Sequence, residues 1–128
     1  MKFFHAALSV NSIKESRVFY ERVFDLKFKV AGKRPEVGIT FVMLEDEKGT
    51  VVELIEHATP NPLTADLMDF SNVGIKHLAF IVDNIEEVMA RAETEGAKVI
   101  WPIKKGVTVK RIAFISDPNN IPIELVEL

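Results

Sequence analysis

Two histidines and two glutamates carry the chemistry this sequence could do. His5 and His77 each open an apolar run, FHAALSV at 4–10 and KHLAFIV at 76–82. Glu53 and Glu124 each interrupt one, VVELIE at 51–56 and PIELVE at 122–127. The His-to-Glu spacing is 48 residues in the first half (5 to 53) and 47 in the second (77 to 124). Side chains alternate faces along a strand. His5 therefore shares a face with Ala7 and Ser9, and His77 with Ala79 and Ile81, while Glu53 and Glu124 face away from Val52 and Leu54 or Ile123 and Leu125. A carboxylate in the middle of an apolar strand is costly unless it is paired or bound to a metal. Taken singly, a strand histidine is more often a hydrogen-bonded core residue, and a strand glutamate more often faces water. Four such residues in repeat-related slots, including two of only three histidines, point instead to one divalent metal held by His5, Glu53, His77 and Glu124. Two imidazoles and two carboxylates without sulfur suit Zn, Ni, Co, Mn or Fe(II) and leave positions for exchangeable water, the character of a catalytic site. His57 has no repeat partner, Leu128 standing in its slot, and is expected on the surface or in a linker.

The elements that position these residues repeat as well. Strands are expected at 3–10, 26–31, 37–45 and 50–56, with turns around Gly32 and over Asp46–Gly49. A helix starts at the capping pair Ser12 and Glu15 and runs to about Asp25, burying Ile13, Ser16, Phe19 or Tyr20, Val23 and Phe24. The second half has a strand at 75–82 and a helix capped by Asn84 and Glu87, with Ile85, Val88, Met89 and Ala92 inward and Gly96 just past its end. Strands follow at 97–103, 107–116 and 121–127. The fold class is α+β: two β-α-β-β-β modules, expected to form a pair of mixed-sheet half-barrels around the metal. Module one covers 1–56 and module two 74–128 of a single domain. Residues 57–73, rich in Pro, Asn and Asp, read as a linker with a helical turn at Thr64–Phe70.

Composition narrows the function classes. A chain of 128 residues, 48% hydrophobic and 27% charged, is an ordinary globular chain long enough to bury a core. It has no cysteine, which excludes thiolate metal sites, a cysteine nucleophile and disulfides. A net charge of −3 argues against nucleic-acid binding. No signal peptide or membrane span is evident, so a cytoplasmic protein is expected. Two basic runs remain: Lys27, Lys29, Lys33 and Arg34, and Lys98, Lys104, Lys105, Lys110 and Arg111. Most read as solvated hairpin edges. Lys105 and Arg111 are the candidates for holding a substrate's carboxylates or phosphates. Trp101, Pro102, Phe19 and Tyr20 read as core packing.

The paired modules, the opening HAALSV, FYERVFDL at 19–26, GIKHLAFIVDNIEE at 74–87 and the closing DPNNIPIELVE resemble the vicinal oxygen chelate superfamily. It contains glyoxalase I, methylmalonyl-CoA epimerase, extradiol dioxygenases and the fosfomycin and bleomycin resistance proteins. The resemblance spans nearly the whole chain. It implies that His5, Glu53, His77 and Glu124 match the four metal-ligand positions of glyoxalase I. The metal, Ni, Co or Zn foremost, would stabilise an enediolate while Glu124 or Glu53 moves a proton beside a carbonyl; Glu124 is the favoured base. Four filled ligand positions favour isomerases and epimerases over dioxygenases, which typically use two His and one Glu, and over resistance proteins that sequester a drug. ELIEHATPNPLTADLMDFSNVGIKHLAF at 53–80 is similar to methylmalonyl-CoA epimerases, DPNNIPIELVE to glyoxalases, and Lys105–Gly106 to the mobile Lys-Gly loop of glyoxalases. Many bacterial glyoxalase I chains carry Arg where Ser9 stands and Asn where His57 stands, and those residues help hold glutathione. The resemblance further implies a small-molecule substrate, a thiol or CoA conjugate, and a homodimer whose metal site lies within one chain or is shared between two.

Overall fold

The computed structural model describes all residues, Met1–Leu128. The chain divides into two units, Met1–Pro62 and Leu63–Leu128. The boundary falls inside the expected linker, so the stretch from Leu63 onward belongs with the second unit.

The first unit runs β1 (Ala6–Ser9), α1 (Ile13–Phe24), β2 (Lys27–Arg34), a short 3-10 turn (Pro35–Val37), β3 (Ile39–Glu45) and β4 (Val51–His57). Its sheet has the order β1-β4-β3-β2. β1 lies parallel to β4, which the chain reaches only after passing through α1, β2 and β3; the other pairs are antiparallel and joined by turns. The second unit repeats this with β5 (Leu78–Ile81), α2 (Ile85–Thr94), β6 (Val99–Lys105), β7 (Arg111–Ser116) and β8 (Pro122–Glu127). Its order is β5-β8-β7-β6, with β5 parallel to β8.

Each helix covers one face of its own sheet. Phe19, Tyr20 and Val23 of α1 are buried together with Val42, Leu44, Val52 and Leu54. Ile85, Val88, Met89 and Ala92 of α2 are buried with Ala113, Ile115, Ile123 and Leu125. Full burial of a side chain such as Leu54 or Leu125 contributes about 1.5–3 kcal/mol. Both Phe19 and Tyr20 point inward, where the pattern required only one of them. The helix starts are as the sequence suggests. Ser12 Oγ accepts from Glu15 N–H at 3.2 Å, and Asn84 Oδ1 accepts from Glu87 N–H at 3.0 Å. Gly96 (φ 90°) closes α2: its N–H bonds to the Glu93 carbonyl at 3.0 Å and Ala97 N–H to the Ala92 carbonyl at 2.9 Å.

Three expected features differ. Gly32 lies inside β2, not in a turn. A Cβ there would come within 2.6 Å of the Phe41 ring, so glycine is needed for the close approach of that ring. The turn comes later, where Pro35 opens a 3-10 turn and Gly38 (φ 69°) closes it. Strands β1 and β5 are shorter than expected and begin just after His5 and His77. The segment at Thr64–Phe70 forms a hydrogen-bonded turn and not a run of helix: Asp69 N–H bonds to the Asp66 carbonyl at 3.2 Å, while Asp66 Oδ1 accepts from Met68 N–H at 2.9 Å and Asp69 Oδ1 from Ser71 N–H at 3.1 Å. No helix is long and apolar enough to cross a membrane.

Candidate active site

The two hairpins before Glu53 and Glu124 are built alike. Asp46 Oδ1 accepts from Lys48 and Thr50 N–H at 2.8 and 2.9 Å, and Asp117 Oδ1 from Asn119 and Ile121 N–H at 2.8 and 2.9 Å. Gly49 (φ 93°) and Asn120 (φ 64°) take the left-handed positions. These turns set the register of β4 and β8. Ala7 pairs with Glu53 across the parallel ladder, and Ala79 with Glu124. Each histidine precedes its alanine by two residues and so shares the glutamate's face, the one the helix leaves uncovered.

The result is one His–Glu pair per module. His5 Nε2 lies 3.6 Å from Glu53 Oε2, and His77 Nε2 lies 3.2 Å from Glu124 Oε2. The four side chains are 16–28% exposed, half-buried but open to a ligand. In both histidines Nδ1 is buried without a partner, so Nε2 is the ring nitrogen presented at the surface. Two donors held by one ion at about 2.0–2.2 Å, roughly 90–110° apart, stand about 3.0–3.6 Å from each other. Both pairs fit that separation, and imidazole with carboxylate fits a divalent cation of the Zn, Ni, Co or Mn kind. Neither module gathers three or more side chains able to hold a metal, and each brings together one His–Glu pair.

In the second module the open face carries more than the pair. Phe114 lies directly opposite Glu124, and Trp101 directly opposite Phe114. His77 meets Phe114 edge to face with centroids 5.0 Å apart, and Phe114 meets Trp101 at 4.8 Å. Phe70 adds a third edge contact to Trp101 at 6.1 Å. Lys104 places its ammonium 3.6 Å from the centre of the Trp101 ring. Trp101 is thus half-buried on the open face rather than part of the core. Alternation back from Glu124 across β7 and β6 signals this, but only once the register is known.

The same register reassigns the expected substrate residues. Arg111 is opposite Glu127, and Lys105 is opposite Arg111. Both belong to the helix-covered side. Arg111 is committed there: its guanidinium donates to both carboxylate oxygens of Glu86 at 2.7 and 2.9 Å and to Glu127. An irregularity between Trp101 and Lys104, three residues facing two, turns Lys104 rather than Lys105 to the open face. Glu127 also accepts from Ile85 N–H at 3.2 Å, and its counterpart Glu56 accepts from Ile13 N–H at 2.7 Å. The repeat therefore holds a second carboxylate pair, set at the first turn of each helix, where negative charge is favoured. Sequence reasoning gave these two glutamates no role, although both close the repeated strands. The first basic run lies along β2 and its turn. Lys29 bonds Glu45 at 3.0 Å and Arg34 approaches Glu36 at 3.6 Å, both with substantial exposure. His57 ends β4, exposed, with Nδ1 accepting from Thr59 N–H at 3.0 Å.

Two mixed sheets of order 1-4-3-2, each with one helix and one His–Glu pair on its open face, define a class of protein. A profile of the glyoxalase/bleomycin resistance protein/dioxygenase superfamily matches residues 4–114, and the chain belongs to that superfamily. It is 32% identical to the lactoylglutathione lyase of Neisseria meningitidis, covering 99% of this chain and 91% of that one. It is 31% identical to the lactoylglutathione lyase of Salmonella typhimurium, covering 99% and 93%. Among solved structures, a glyoxalase family protein from Bacillus cereus superposes with a TM-score of 0.83 at 18% identity, covering 99% of this chain and 93% of that one. The trypanothione-dependent glyoxalase I of Leishmania major superposes at 0.79 and 22% identity, covering 99% and 86%.

Proposed function

We propose that the protein is a metal-dependent lyase/isomerase of the glyoxalase I kind, acting on a thiol conjugate of a 2-oxoaldehyde. The two half-sites, His5 with Glu53 and His77 with Glu124, carry this reading, and the relatedness to lactoylglutathione lyases over nearly the full chain supports it. The four side chains hold one divalent ion, Ni, Co or Zn foremost. Because a module supplies only two donors, the ion needs both half-sites, from one chain or from two chains of a homodimer. When bound, the ion supplies Lewis acidity toward the substrate's carbonyl oxygen.

The protein's own part is the proton transfer. Glu124 takes the proton from the hydroxyl-bearing carbon attached to sulfur and returns it to the neighbouring carbonyl carbon, converting a hydroxy-ketone into a hydroxy-thioester without an external oxidant. Glu124 is favoured over Glu53 because it faces an aromatic neighbour, Phe114, which packs edge to face on His77 and helps to fix the pair. The test is turnover of the methylglyoxal–glutathione hemithioacetal by protein stripped of metal and reloaded in turn with Ni, Co and Zn. Metal-dependent turnover is expected. Absence of turnover in protein shown to be loaded removes this reading.

A second reading, an epimerase on an acyl-CoA, is favoured by Ser9 and by His57, whose ring is engaged with Thr59 instead of standing free for glutathione. It predicts exchange of the substrate's α-proton with solvent deuterium.

A further inference from the structure

Glu56 and Glu127 have no part in the proposed proton transfer. Each stands three residues beyond Glu53 or Glu124 on the same strand and therefore faces the helix. Roughly 10 Å of strand separates it from that neighbour, so it cannot reach an ion held there. What it does reach is the chain that leaves the histidine strand. In module one Val10 N–H bonds to the Ile55 carbonyl at 2.8 Å, and Ile13 N–H to Glu56 Oε1 at 2.7 Å. In module two Val82 N–H bonds to the Val126 carbonyl at 2.8 Å, and Ile85 N–H to Glu127 Oε2 at 3.2 Å. The backbone bond closes the parallel ladder. The carboxylate bond carries the grip across the turn, onto a first-turn N–H that has no partner within its own helix.

That grip matters because β1 and β5 are only four residues long, and parallel pairing is the weaker kind. His5 and His77 stand just outside these strands, so their rings inherit the axial position each strand takes against β4 or β8. Donors that share an ion must be held to within about 0.5 Å of their working geometry. We propose that Glu56 and Glu127 are positioning residues for the two metal half-sites, each holding its histidine strand in register with the strand that carries the metal-facing glutamate. The second module is tied further: Arg111 donates to Glu127 and to Glu86, which joins β7, β8 and the first turn of α2. The inference rests on the metal site of the proposed function, and it is read by metal affinity without any turnover.

Zinc affinity of full-length protein is measured by competition with a chromophoric chelator, well below the Tm of each variant, and the visible spectrum is recorded after loading with Co(II). Glu56→Leu removes the acceptor, Glu56→Asp keeps the charge on a shorter side chain, and Glu56→Gln keeps an acceptor of the same reach without the charge. The first two should weaken zinc about tenfold and shift the Co(II) bands, while Glu56→Gln should match wild type. Should Glu56→Leu not fold, Glu56→Asp carries the comparison. The same series at Glu127 tests the second module. Ser12→Ala is the control for a purely structural role, since it removes another bond of the same helical turn and leaves the strands joined; its zinc affinity should be unchanged. Wild-type affinity in Glu56→Leu and Glu56→Asp overturns the proposal and leaves the lyase reading intact. Equal weakening in Ser12→Ala, or in Glu56→Gln, overturns it in favour of general stability or of charge. Wild-type protein that binds no metal removes the lyase reading and this one with it.

Discussion

The two modules share a frame and differ in what they display on it. Their strand orders, helix caps, hairpin aspartates, His–Glu pairs and helix-start glutamates coincide. The residue facing Glu53 across the ladder is Met43, and beyond it Val30; the residues facing Glu124 are Phe114 and Trp101. The first face carries Met43, Val30 and the Phe41 ring, which is packed over Gly32. The second is an aromatic row, with the Lys104 ammonium over Trp101. The two halves are alike in their caps, hairpin turns and His–Glu pairs, and they differ in the residues displayed beside each pair.

The largest effects should come from breaking the symmetric part. His5→Ala, His77→Ala and Glu124→Ala should each abolish stoichiometric metal binding, measured by metal analysis after gel filtration, while circular dichroism stays native. Normal loading in two of the three would show that these residues are not the ligands. The asymmetry is sharpened by Glu124→Gln against Glu53→Gln. Loss of a general base costs about 10²–10⁴ in rate. In protein that retains metal, Glu124→Gln should fall by that amount in kcat and Glu53→Gln by less. The reverse ranking would move the base to the first module.

Much of the frame was legible because alternation and the repeat state it twice. The His–Glu faces, both caps and Gly96 follow from local rules that the packing does not override. The aromatic row and the faces taken by Lys104 and Lys105 were not legible. They depend on cross-strand register and on one irregularity in β6, which moves Lys104 to the open face and leaves Lys105 opposite Arg111. Arg111 looked free for the same reason: Glu86 and Glu127, 25 and 16 residues away, meet it only after β7, β8 and α2 assemble. At Thr64–Phe70, where a helical turn was expected, the chain makes two successive turns, closed by Asp69 N–H on the Asp66 carbonyl and Asn72 N–H on the Asp69 carbonyl.

An intermediate effect separates the modules by pH. Opposite Glu56 stands Thr40, whereas opposite Glu127 stands Arg111. Burial pushes the Glu127 carboxyl up, but the bonds from Arg111 and Ile85 N–H outweigh it and hold the group below the usual glutamate value. Glu86, bonded by the same arginine, is lowered as well. A carboxyl depressed in the folded state adds stability that is present above its unfolded value, near 4.5, and is lost as the pH falls through the lower folded value. Acid unfolding below about pH 4.5 should therefore lose this contribution, and Arg111→Met should lower Tm at pH 7 and flatten the acid limb. The check is Tm against pH for wild type and variant. Parallel curves would show that the Arg111 network is not linked to folding.

The smallest effects should lie at the helix caps, and they test how far the equivalence of the halves extends. Ser12 and Asn84 make the same bond to the third helical N–H, at 3.2 and 3.0 Å. Each also stands beside a glutamate from its closing strand that takes the first helical N–H. Replacing such a cap with alanine costs about 0.5–2 kcal/mol, typically ~1. Ser12→Ala and Asn84→Ala should each cost about that much in urea unfolding. The Ile13 N–H bond to Glu56 is the shorter of the two, at 2.7 against 3.2 Å, so α1 retains more of its anchoring when its cap is lost. Asn84→Ala should then cost more than Ser12→Ala. Equal losses would mean that the strand glutamates anchor both helices alike, and that the modules differ only in the surfaces they present to a ligand.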